Sequence, residues 1–62
     1  VIEMTLEEAL EISRMCKEDL YPPTNTIVLC QAISTIVKEK GKCREVYYII
    51  DWLNQLYADY RE

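Results

Sequence analysis

An all-α chain, folded as a compact three-helix bundle within one small domain spanning residues 1–62, follows from three features of the sequence. Apolar residues recur at helical spacing in three segments. The segments are separated by Pro22–Pro23 and by Gly41. No stretch alternates apolar and polar residues for long enough to make a strand, the β-branched run Thr26 to Val28 being the one ambiguous spot. The helices are expected over about 6–20, 25–40 and 43–61.

For the first helix, Thr5 followed by Glu8 is a capping-box pattern, with Met4 placed to staple onto Ala9. Leu6, Ala9, Leu10, Ser13, Cys16 and Leu20 fall in a stripe about 120° wide, which is the expected core face. Ile12 lies on its flank, and Met15 on the far side among Glu7, Glu11 and Glu18. Tyr21, Pro22 and Pro23 end the helix, because a proline disfavours helical geometry in the residue before it.

Thr24 or Asn25 can cap the second helix, which is expected to end at Lys40 with Gly41 just beyond it and Lys38 and Lys40 facing the negative helix end. Its apolar arc is wide: Val28, Leu29, Cys30, Ala32, Ile33, Ile36 and Val37 cover about 200°, as for a helix packed from two sides. The third helix is expected to begin near Cys43 or Arg44. Val46, Ile49, Ile50, Leu53, Leu56, Tyr57 and Tyr60 share its core stripe, and Tyr48 and Trp52 sit beyond the edge.

A chain of this size buries only roughly 60% of the surface it exposes when unfolded, so oligomerisation is one natural source of extra stability. Three cysteines cannot all pair within one chain, and no leader-like stretch opens the sequence, so a reducing, cytoplasmic setting is expected. No apolar run approaches the about 20 residues of a membrane span, and neither long amphipathic helix carries the basic polar face of a membrane-surface helix.

The chemistry of turnover is missing from the pattern. There is no histidine, Ser13 and Ser34 have no evident base, and the single glycine leaves no phosphate-cradling loop. The cysteine spacings fit no zinc set, and Glu7, Glu8 and Glu11 lack the histidine partner of a carboxylate-bridged metal site. Cys43, flanked by Lys42 and Arg44 at a predicted helix start, sits where reactive thiols are found, but no resolving cysteine is near it in sequence. A non-enzymatic protein with no catalytic residue, cofactor, metal or small-molecule substrate is expected.

Charge is unevenly spread over a net −4. Residues 1 to 20 carry six acids against Arg14 and Lys17, whereas Lys38, Lys40, Lys42 and Arg44 face only Glu39 between 38 and 44. The segment "KEKGKCREVYYIIDWL" resembles the outline of a helix-turn-helix, with Gly41 in the turn and the basic residues 38–44 about it. Nucleic acid is nonetheless not the expected partner: the chain is acidic, and the following helix would present Glu45, Asp51 and Gln55 outward.

What remains is interaction with protein. Five of the six aromatic residues lie in "VYYIIDWLNQLYADY", and Tyr48 and Trp52 are left over once the core stripe is filled. The expected function is a protein–protein interaction module that self-associates, with Met15, Tyr48, Trp52 and Gln55 meeting the partner. Glu7 and Glu11 on one helix, and Lys38, Lys40, Lys42 and Arg44 at the second turn, would supply electrostatic complementarity. The alternatives are a helix-turn-helix-like nucleic-acid binder using 38–44, and a small acidic inhibitor occupying a basic groove on an enzyme.

Overall fold

The computed structural model describes residues 4–60, the side chains of 59 and 60 excepted. Three helices, α1 (Leu6–Glu18), α2 (Thr26–Lys40) and α3 (Arg44–Tyr60), all pack on one another as a three-helix bundle. The last residue of the predicted third helix, 61, lies outside the described residues, as does the side chain of Tyr60.

The helix ends follow from local chemistry. At α1 the capping box forms: the Thr5 hydroxyl accepts from the Glu8 N–H at 3.2 Å, and the Glu8 carboxylate accepts from the Thr5 N–H at 3.2 Å. The helix stops two residues before the predicted end. Asp19 turns left-handed (φ 56°), and its N–H and that of Leu20 both donate to the Met15 carbonyl. Tyr21 is left-handed as well, at φ 50°. Leu20 therefore leaves the α1 stripe and is 47% exposed, not a core residue. At α2 the Asn25 side chain, rather than Thr24, accepts from the Ile27 N–H at 2.9 Å. Gly41 closes the helix by donating to Val37 at 2.9 Å, with φ 75° and ψ −168°. That region of backbone space is essentially reserved for glycine.

Ala9, Ile12, Leu29, Ala32, Ile36, Val46 and Ile49 make the buried core, with Leu10, Met15, Cys16, Val28, Ile33, Ile50, Trp52 and Leu53 among the side chains packed around it. Ser13, on the predicted core stripe, is also fully buried, and its hydroxyl donates to the Glu45 main-chain carbonyl at 2.8 Å. Small side chains at 9, 13 and 32 let the helices approach closely, so the core is narrow.

That narrowness corrects several expected placements. Each helix meets two neighbours on adjoining sides, which subtends less than the 200° arc expected of α2, so Cys30 and Val37 are exposed. Tyr57, expected in the core, is 56% exposed for the same reason: the bundle is too thin at its end to cover a ring. Met15 is half-buried against the core instead of lying among the acids. Among the described residues, no helix is long and apolar enough to cross a membrane.

Candidate functional site

The aromatic pair on α3 is engaged within the fold. Trp52 is half-buried against the core cluster, and its indole N–H donates to the Pro23 carbonyl at 2.8 Å, linking α3 to the α1–α2 loop. Tyr48, one turn earlier, is also half-buried, and the Lys17 ammonium of α1 stands 5.4 Å from its ring centroid, within cation–π range. The expectation that both rings look outward is thus corrected: each found a partner in the loop or helix that crosses it. A helical wheel of α3 alone shows neither Pro23 nor Lys17. Of the four expected partner-binding residues, Gln55 is exposed, and Met15, Tyr48 and Trp52 are half-buried.

The charged residues lie as expected on the surface. Glu7, Glu11, Lys38, Lys40, Lys42 and Arg44 are all exposed. Glu11 is paired with Arg14 one turn on, a surface ion pair. Two groups nearer the interior depart from their ordinary proton affinities. A hydrogen bond from the Cys43 thiol, helped by the adjoining main chain and by Lys40 and Arg44, holds the Glu45 carboxyl below the usual range. Burial pushes the Cys16 thiol up to about 11, which keeps it neutral and unreactive.

An open groove of about 650 Å³ runs along the outer face of α2 and is the surface that the sequence reading missed. Its apolar walls come from Met4, Ile27, Cys30 and Tyr57, while Gln31, Ser34 and Lys38 continue the same face of the helix. Ile27 is 67% exposed although it is a branched aliphatic at a helix start. The signal was present in the sequence. Ile27, Cys30, Gln31, Ser34 and Lys38 recur at three- and four-residue steps, the spacing of one helix face, and Ile27 fell outside the arc assigned to the core.

Of the six exposed large apolar residues among the described residues, Ile27 and Tyr57 line the groove, Val37 lies elsewhere on α2, Tyr47 on α3, and Leu20 and Tyr21 in the loop between α1 and α2. Tyr21 is 97% exposed. Among the described residues no three His, Cys, Asp or Glu side chains gather to hold a metal ion. The groove sets apolar area beside the hydrogen-bonding side chains of Gln31, Ser34 and Thr35. No protein-family model matches the chain, and no match is found among curated proteins or solved structures.

Proposed function

We propose that this domain is a non-enzymatic protein–protein interaction module that self-associates, with the α2 groove in place of the α3 aromatic pair as its docking surface. The observation that carries the reading is the concentration of exposed apolar side chains on that face: Ile27 and Tyr57 flank one groove in a protein whose core holds few large residues. Apolar area at an open groove is stabilised by covering it, and a small domain with a narrow core gains most from doing so. The free cysteines Cys16, Cys30 and Cys43 fit a reducing, cytoplasmic setting.

The test is solution mass against dilution for the wild type and for Ile27→Asp with Tyr57→Ser. Concentration-dependent association that is lost in the variant, with helical circular dichroism unchanged, supports the reading. Association that persists in the folded variant overturns the surface assignment. Micromolar binding of duplex DNA that weakens steeply with salt would replace docking by the nucleic-acid reading centred on the exposed Lys38, Lys40, Lys42 and Arg44.

A further inference from the structure

The chain just beyond α1 holds a backbone conformation that its own sequence disfavours. Leu20 falls on the apolar stripe of the helix, four residues after Cys16 and so on the same face, yet the helix stops at Glu18 and Leu20 stands 47% exposed. Asp19 and Tyr21 take positive φ, 56° and 50°. That region presses Cβ toward the following carbonyl oxygen; aspartate tolerates it, whereas a bulky residue is an outlier there. Tyr21 also precedes Pro22, which steers the residue before it toward extended backbone. Packing offsets none of this, since Tyr21 is 97% exposed and buries almost nothing.

Hydrogen bonding does not account for the stop either. The Asp19 N–H donates to the Met15 carbonyl four residues back, which is the bond of a continuing α-helix, and the Leu20 N–H donates to the same carbonyl at 3.0 Å, five residues back. Winding the chain through Leu20 moves that second bond to the Cys16 carbonyl and loses none. What does fasten the loop as it stands is Trp52, whose indole N–H donates to the Pro23 carbonyl at 2.8 Å.

We infer that the end of α1 is a two-position element. In the displayed position of the structure, Leu20 and Tyr21 face solvent. In the wound position α1 continues through Leu20, which folds onto the stripe beside Cys16, and Tyr21 takes the extended backbone that Pro22 favours. The Trp52–Pro23 hydrogen bond selects the displayed position, because winding Asp19 and Leu20 redirects the chain three residues before Pro23 and draws its carbonyl off the indole. The element thereby exposes or withdraws Leu20, and anything that docks on the Leu20–Tyr21 pair stabilises the displayed position. It is separate from the α2 groove, whose lining includes none of residues 18–23.

The experiment reads the Cα chemical shift of Leu20, relative to its random-coil value, in the isotopically labelled full chain. The shifts of buried Ile36 and Ile49 check folding. Trp52→Phe keeps an aromatic ring and removes the donor, so the ratio of wound to displayed chains should rise about fivefold, the factor that one net hydrogen bond is worth, and Leu20 should move toward its helical value. Asp19→Ala leaves Trp52 in place and should move Leu20 the same way, because alanine resists positive φ and favours helix. Adding Asp19→Gly and Tyr21→Gly to Trp52→Phe should return Leu20 to the wild-type shift, since glycine accepts positive φ without strain.

Helical displacement in both single variants, reversed by the glycines, supports the two positions. Random-coil shifts in Trp52→Phe overturn them, since a loop that has merely lost its tether loosens and does not wind. Wild-type shifts in both single variants overturn them as well, and a helical displacement in Asp19→Ala alone overturns Trp52 as the selector. Should Trp52→Phe fail the folding check, Asp19→Ala with and without Tyr21→Gly decides: a helical displacement that the glycine reverses supports the element, and any other result overturns it.

Discussion

The buried hydroxyl of Ser13 in α1 donates to the main-chain carbonyl of Glu45 in α3 at 2.8 Å, so the two helices are joined by a polar bond inside an otherwise apolar contact. Ser13→Ala removes the donor with almost no change of volume and should lower unfolding free energy by about 1 kcal/mol in urea denaturation. Ser13→Val adds bulk at a fully buried position of α1 and should cost about 1–3 kcal/mol.

Trp52 provides a sharper separation between fold and surface roles. Trp52→Phe keeps the ring packing but strips the donor from the Pro23 carbonyl, and should cost about 1 kcal/mol. Trp52→Ala also removes the packing against the core cluster and should cost about 3 kcal/mol. Denaturant titrations at a concentration where the chain is monomeric read both values. A loss well under 1 kcal/mol for the alanine variant would show that the indole contributes little to the fold.

Gly41 tests backbone geometry alone. A Cβ placed there would meet nothing within 4 Å, so any cost comes from φ 75° and ψ −168° and not from collision. Gly41→Ala should therefore destabilise the domain by about 1–3 kcal/mol, with the α2–α3 turn rather than the core bearing the strain.

Acid stability should report on Glu45. Its carboxyl lies below the ordinary value of 4.5, chiefly because the Cys43 thiol donates to it, so its contribution is present above the unfolded-state pKa and is lost as pH falls through the lower folded-state value. The urea midpoint should drop below pH 4.5, and Glu45→Gln should flatten part of that drop. Cys16 acts at the other end: its folded pKa of about 11 exceeds the ordinary 9.0, so stability is full below pH 9.0 and declines between those values.

Thiol labelling should separate the cysteines. At pH 8 only about one Cys16 side chain in a thousand is thiolate in the folded state, so iodoacetamide should modify the exposed Cys30 first and reach Cys16 chiefly after unfolding. Mass spectrometry of a timed quench checks the order.

The bundle, its two turns and the α1 capping box were readable because each depends on residues close in sequence: Thr5 with Glu8, Asn25 with Ile27, Gly41 with Val37. The surface was not, because it depends on what crosses a helix from elsewhere. Trp52 and Tyr48 lie off the α3 stripe, yet Pro23 and Lys17 come to them from 29 and 31 residues away. The reverse error arose at Tyr57 and Cys30, which carry core-like residue types on faces that their neighbours leave largely open. Periodicity marks which residues share a face; it does not state how much of that face two slender neighbours can cover.

The indole bond to Pro23 also governs how the domain opens. The α1–α2 connection is held by a side chain of the last helix, so unwinding α3 releases that loop together with α3's own contacts to the other two helices. Amide hydrogen exchange should therefore show the loop losing protection along with α3.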